Sequence, residues 1–414
     1  MKKIVFQNLF ITLISKILAF ISFLYIAKVL TQSEYGAFVY INMILSLLPL
    51  FQFGSMHGAV ILLPKYIASD KNKKEELFVS YNSFSIILQA MSVFLLYIID
   101  IKVSQWILLV ISINYILSKY VENGQIYLNS HLQFQKANYI KVIDQVLRPI
   151  VILAMFYTYK NIESIFIAHF ITTFITVIST IRFVKLKFKF SFDKKTLKKI
   201  YKIGFFVYLI WGIDILFRTA DRLFISQFYD INDLAVYGFT SALAMNIWLL
   251  SMSFFSPYSQ LLYKAVAESN FTNAKNIVES TNKKLFLLLA VTSVVAVAAY
   301  PYLLEFIVHN YFGTYYLFFI LVLISIFLSI NNMYIYYMIS NSRHFILLKY
   351  QIVILLSNIL LNAIFAYWHF DIVYYGYSTL FALAVYFLLI RRSFYIDIDK
   401  KLGPRGFVLE NELR

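Results

Sequence analysis

The chain has 414 residues, 61% of them apolar by side chain and 14% charged, where an ordinary soluble domain is near half apolar and a quarter charged, so a water-soluble globular fold is excluded. The net charge of +16 would suit a nucleic-acid binder, but the cations lie in short links between apolar stretches, which excludes nucleic acid as the partner. Cysteine is absent, which excludes disulfides, thiolate catalysis and cysteine-ligated metals.

Apolar stretches recur from Phe6 to Ile390, each long enough to cross a hydrocarbon core of roughly 30 Å at about 1.5 Å per residue. They predict an all-α polytopic membrane protein of about twelve transmembrane helices, at 6–27, 36–57, 77–99, 106–127, 139–159, 165–183, 203–228, 234–257, 285–308, 316–339, 352–368 and 372–390. The first span follows Met1-Lys2-Lys3 and imitates a secretory signal, but Lys16 interrupts it and no small-residue cleavage site follows, so it is expected to be retained. The second ends on Gly54 and Gly58, a small-xxx-small pair read as close packing or a helix end. The fourth carries Lys119 and Glu122, an i, i+3 pair read as structural. The fifth carries Asp144, Arg148 and Pro149, and the sixth His169, read as a packing residue.

Between the sixth and seventh spans Asp193 is placed to cap a turn with Lys194, Lys195, Lys198 and Lys199 on a wet side and Leu197, Ile200 and Tyr201 toward lipid. That stretch reads equally as an interfacial helix on anionic headgroups or as a solvated link. The seventh span holds Asp214, Arg218, Asp221 and Arg222 on one helical face. Pro49, Pro149, Pro257 and Pro301 offer kinks.

An internal repeat divides the spans into halves. Glu34-Tyr35-Gly36 and Lys65-Tyr66-Ile67-Ala68-Ser69-Asp70 in the first are echoed by Val236-Tyr237-Gly238 and Lys264-Ala265-Val266-Ala267-Glu268-Ser269 in the second. The expected organisation is a six-helix lobe over 1–184, a basic cytoplasmic linker over 185–202, a second six-helix lobe over 203–392 and a cytoplasmic tail over 393–414. With an even number of helices per half, both lobes share one orientation and enclose a central cavity. Twenty-nine Lys and Arg fall on the side of the termini and three (Lys28, Lys102, Lys160) on the other. This asymmetry puts both termini in the cytoplasm.

Charged groups inside spans cost about 2.5 to 3.5 kcal/mol each and therefore mark wet cavities or partners. Lys16, Arg148 and Arg218 each lie twelve residues before an outer charge (Lys28, Lys160 and Asp230), roughly 18 Å of helix, and so fall at a common depth as a collar for an anion. Asp144 with Arg148 and Asp214 with Arg218 are i, i+4 pairs that read equally as internal neutralisation. Lys16 has no acidic residue within helical reach and is the sharpest site residue.

Three segments carry a family resemblance: Val29-Leu30-Thr31-Gln32-Ser33-Glu34-Tyr35-Gly36-Ala37-Phe38, Asp221-Arg222-Leu223-Phe224-Ile225 and Phe312-Gly313-Thr314-Tyr315-Tyr316. On these the chain resembles Wzx-type flippases of the multidrug/oligosaccharidyl-lipid/polysaccharide exporter superfamily. The resemblance implies a two-lobed, MATE-like fold and export of an undecaprenyl-pyrophosphate-linked oligosaccharide, for O-antigen or capsule, across the bacterial inner membrane, beside a polysaccharide polymerase and a chain-length regulator. Lys16, Arg148, Arg218 and Arg222 are then the groups expected to pair with pyrophosphate. Asp144, Asp214 and Asp221 are expected to hold those cations or to carry a coupled proton or sodium ion, with no other cofactor. A cation exporter of the same fold calls for an acidic, uncompensated cavity, and a polymerase or ligase for large basic outer loops. Both remain as rival readings, against which stand five cations to four or five carboxylates inside the spans and only three cations on the outer face.

Overall fold

The structure, a computed structural model, describes residues 2–65, 71–99, 103–184 and 191–411. Among them its elements are helices, with no strand, and every expected span is helical over most of its length. Nine helical stretches of the described residues are long and apolar enough to cross a membrane, and the chain is a multi-pass membrane protein. Tyr66 to Asp70 of the repeat, Lys102 and residues 185–190 of the expected linker lie outside the described residues.

The chain forms two compact units, 1–212 and 213–414. The first begins with α1 (Lys2–Val29) and α2 (Gln32–Leu47). The Thr31-Gln32-Ser33-Glu34 sequence closes a reciprocal cap: the Glu34 amide donates to Thr31 Oγ1 at 3.3 Å, and the Thr31 amide to the Glu34 carboxylate at 2.9 Å. Two donors that the helix start leaves open are thereby satisfied.

The second span is not the continuous helix expected over 36–57. It stops in a 3-10 turn, Leu48–Gln52, and resumes as α3 (Ser55–Lys65). Pro49 stands at the start of that turn, and Phe53 and Gly54 are left-handed, with φ of 47° and 88°. The break lets two backbones meet. A Cβ on Gly58 would lie 2.1 Å from the Ile200 carbonyl oxygen, and one on Gly204 the same distance from that of Gly54. Tyr208 donates to the Leu50 carbonyl at 2.6 Å, satisfying an acceptor in the broken stretch that lipid would leave open.

Then come α4 (Lys71–Ile98) and α5 (Gln105–Ser130), followed by a span that is again not uniform: α6 (Phe134–Val142), a π turn over Ile143–Leu147, and α7 (Arg148–Tyr159). Proline at 149 has no N–H to give to the carbonyl four residues back, and a widened turn absorbs the loss. After α8 (Ile162–Val184) the chain enters α9 (Lys194–Phe228).

As expected, Asp193 caps this helix. It accepts from the Lys195 and Thr196 amides at 3.2 and 3.0 Å and from the Thr196 hydroxyl, and the Thr196 hydrogen bonds hold its carboxyl below the usual range. The apolar side of this start does not face lipid. Ile200 is fully buried against Gly58, and Leu197 packs on the core around Leu63, Phe78 and Leu128. Residues 194–202 of the expected linker are therefore the first turns of α9.

The second unit holds the rest of α9, then α10 (Ile231–Ala267), α11 (Phe271–Phe306), α12 (Tyr315–Ser340), α13 (His344–Tyr367) and α14 (Val373–Asn411). The last is interrupted at Gly403, where φ is 59°. One staple joins α14 to the turn between α12 and α13. The buried Asp397 carboxylate accepts from Tyr337 at 2.7 Å and from Arg343 at 2.6 and 3.1 Å, and also from Asn341.

Candidate functional site

Each unit carries a polar cavity on its own helices. In the first, a space of about 620 Å³ opens between α1, α2, the π-turn segment and α8, lined by Lys16, Ser22, Tyr35, Lys141, Asp144, Arg148 and His169 among others. Two of the expected cations, Lys16 and Arg148, meet here. Ser22 of α1 donates to the Pro149 carbonyl at 3.2 Å and to Leu18 at 2.8 Å, tying the two helices beside the cavity. Residues 141, 144, 145 and 148 all reach the same space, the i, i+3, i+4, i+7 pattern of one helical face.

The charges in this cavity do not balance. Asp144 pairs with Arg148, whose Nε is buried without a partner. Among the described residues no ion pair is formed by Lys16 or by Lys141. Three cations thus share one carboxylate. The sequence does not single out Lys141 and gives His169 a packing role; the structure puts both on the cavity wall. The signal for Lys141 was its place seven residues before Arg148, on the same helical stripe.

The second unit is arranged differently. The Asp214–Arg218 pair closes at 2.6 Å, and the Arg218 guanidinium lies 5.1 Å from the Trp248 ring centre. Arg222 donates to the Arg218 carbonyl at 3.2 Å. Arg218, Asp221, Arg222, Tyr237 and Thr379 share a small cavity of about 40 Å³, room for a single ion or water rather than a headgroup.

Asp221 is 6% exposed, and its four side-chain partners are neutral. Tyr237 donates to it at 2.5 Å, Thr379 at 2.7 Å and Asn362 at 2.9 Å, with Asn358 at 3.5 Å. Asn358 in turn donates to Ser378 and Thr379, both at 2.9 Å, and Ser378 donates to Asn362. A carboxylate kept in a bilayer without a salt bridge is costly; here a closed set of side-chain oxygens and amides solvates it. Asn358, Asn362, Ser378 and Thr379 were not singled out in the sequence. Two asparagines four residues apart in an otherwise apolar span were the legible signal.

Comparison with known proteins places these features in a family. A model of the polysaccharide biosynthesis protein family matches residues 25–268, more than half of the chain. The chain belongs to this family. Among solved structures, this polysaccharide biosynthesis protein is similar to the lipid II flippase MurJ in an inward closed conformation, at TM-score 0.76 and 17% identity over 94% of this chain and 87% of that one. It is also similar to an inward-facing multidrug resistance MATE family transporter of the MOP superfamily, at TM-score 0.72 and 12% identity over 92% and 95%. A MOP superfamily transporter from Pyrococcus furiosus matches at TM-score 0.63 and 14% identity over 95% and 96%. At these identities the likeness is one of fold, and it is the MATE-like fold that the Wzx resemblance implied. A search of curated proteins by sequence finds no match.

Proposed function

We propose that this polysaccharide biosynthesis protein is a flippase rather than an enzyme, moving an undecaprenyl-pyrophosphate-linked oligosaccharide across the bacterial inner membrane by alternating access, with both termini in the cytoplasm. The observation that carries the proposal is the cation surplus of the first unit's cavity, where Lys16 and Lys141 stand without ion pairs beside Arg148. A pyrophosphate diester bears two negative charges, and the two unpaired ammoniums supply the opposite charge. Arg148 adds forked donors suited to phosphate oxygens. At about 620 Å³ the cavity lies in the range of organic-ligand sites, roughly 300–1,000 Å³.

In the second unit Arg218 and Arg222 are proposed to pair with pyrophosphate in their own right; Asp144 holds Arg148 and Asp214 holds Arg218 in place. Asp221, ringed by oxygen-bearing side chains, is the group we assign to a coupled proton or sodium ion. The repeat unit serves O-antigen or capsule, beside a polymerase and a chain-length regulator. A cationic drug as cargo is disfavoured by three cations against one carboxylate in the larger cavity.

The test is complementation of a flippase-deficient strain with Lys16→Ala, Lys141→Ala and Arg148→Ala proteins at matched membrane levels. Loss of surface polysaccharide, with the completed lipid-linked repeat accumulating inside, is the expected result. Full surface polysaccharide from all three would remove the cavity as the substrate site.

A further inference from the structure

The start of α9 keeps a cationic face that the proposed transport site does not use. Lys194, Lys195, Lys198, Lys199 and Lys202 are all exposed, at spacings of one, three, one and three, a single face along about 12 Å of helix. One turn further on, the same face carries Phe205 and Phe206, 44% and 40% exposed. The opposite side is closed by protein, with Ile200 fully buried and its carbonyl over Gly58. The entry to the helix is tied down as well: the Ser191 and Asp193 amides donate to Ser83 and Ser80 of α4 at 3.3 and 3.2 Å. The lysine face is thus held in a fixed orientation by the first unit's core.

No carboxylate answers these lysines. Among the described residues none of the five closes an ion pair. Asp193, the acidic residue beside them in sequence, is occupied by the Lys195 and Thr196 amides and the Thr196 hydroxyl. Those amides are spent on the cap, so the charge of the face resides on its side chains. Other basic helix ends are partly balanced: Lys264 pairs with Glu268 at 3.8 Å, and Arg343 and Lys401 share Asp397.

We infer that this face docks the headgroup of an anionic phospholipid of the surrounding leaflet, with its acyl chains along Phe205 and Phe206. Charge complementarity selects the occupant, because a zwitterionic headgroup cancels its phosphate with its own cation and leaves the ammoniums unanswered. The rings select a lipid over a soluble anion: α9 is long and apolar enough to cross a membrane, and a free phosphate leaves the apolar part of the face uncovered. Clusters of about four to eight Lys or Arg beside a membrane-crossing helix attract anionic lipid in this way. Lysine stems lie along apolar surface while the ammonium reaches the headgroup. The docked lipid fixes the depth of α9, with its lysines in the headgroup layer and its rings at the top of the acyl layer.

Native mass spectrometry, which counts lipids on the intact protein, tests this with phosphatidylglycerol against phosphatidylcholine. The parent is expected to bind its first phosphatidylglycerol about tenfold more tightly, and a triple variant, Lys198→Gln with Lys199→Gln and Lys202→Gln, to bring the two lipids within about twofold. Arginine at the same three positions should restore the preference. Removing the same charge at separated exposed positions, Lys28→Gln with Lys160→Gln and Lys283→Gln, should leave the preference as it is in the parent. A preference that survives the glutamine triple, or that the separated variant loses equally, overturns the inference. If the glutamine triple loses undecaprenyl pyrophosphate rather than phosphatidylglycerol, the proposed cargo is the occupant and the inference fails.

Discussion

Among the described residues Lys16 and Lys141 form no ion pair, whereas Lys119, Arg148 and Arg218 each close one. One opposite charge at 4 Å is worth about 4 kcal/mol at an effective dielectric of 20; a wet cavity leaves part of that, and about 1.4 kcal/mol is tenfold in affinity. Each of Lys16→Ala and Lys141→Ala is therefore expected to weaken binding of undecaprenyl pyrophosphate about tenfold, with the double variant near a hundredfold, measured by titration in detergent micelles. An uncharged polyprenol should bind all variants alike. Asp221→Asn makes the opposite kind of change: it removes charge at nearly constant shape and turns an amide donor toward Tyr237, Thr379 and Asn362, which already donate. The expected outcome in proteoliposomes is transport accelerated by a sodium or a proton gradient in the parent protein and by neither in the variant. Its folded state should lose about 1 to 3 kcal/mol from donors left unpaired. Apart from Lys141, the charged residues of both cavities were visible in the sequence because a charge in an apolar run stands out. The neutral groups around Asp221 were not, since Asn, Ser and Thr are tolerated in spans and come together here from positions up to 158 residues apart.

The spans were legible as elements because length and apolarity alone decide what crosses lipid. Their interruptions were not. Pro49 with Gly54 breaks the second span, whereas Pro301 sits inside a continuous α11, and residue type does not distinguish the two cases; the packing partner does. Likewise, periodicity identified the apolar side of the α9 start but not its cover, which is the core of the first unit and not lipid. Glycines at that contact give the test. The Cβ of Gly58→Ala meets the Ile200 carbonyl oxygen at 2.1 Å, a backbone atom, while that of Gly376→Ala meets a methyl of Ile320 at 3.1 Å. Overpacking typically costs about 1 to 3 kcal/mol. Gly58→Ala should lower the melting temperature by several degrees, and Gly376→Ala should leave it within about a degree, since the Ile320 methyl can give way and alanine favours helix. Equal melting temperatures for the two would mean that the α3–α9 approach is looser than the structure shows.

For the whole molecule, the direction of transport depends on which side the basic links face. Twenty-nine cations against three is an asymmetry that membrane insertion reads directly, since basic loops resist translocation. On that reading Lys28, at the end of α1, is expected outside, and Lys198, on the exposed side of the α9 start, in the cytoplasm. The chain has no cysteine, so a single introduced thiol reports one position without background. In intact spheroplasts a membrane-impermeant maleimide should label Lys28→Cys at once and Lys198→Cys only after permeabilisation. The two positions are on different helices, so a missed or extra span between them would put both on the same side. The reverse pattern would invert the protein and leave its basic links facing outward, against the order in which a lipid-linked sugar is assembled inside and exported. With the expected pattern the basic links face the side on which the proposed lipid-linked substrate is loaded. Electrostatic attraction over about a Debye length, roughly 8 Å at physiological salt, then gathers pyrophosphate lipids where loading begins.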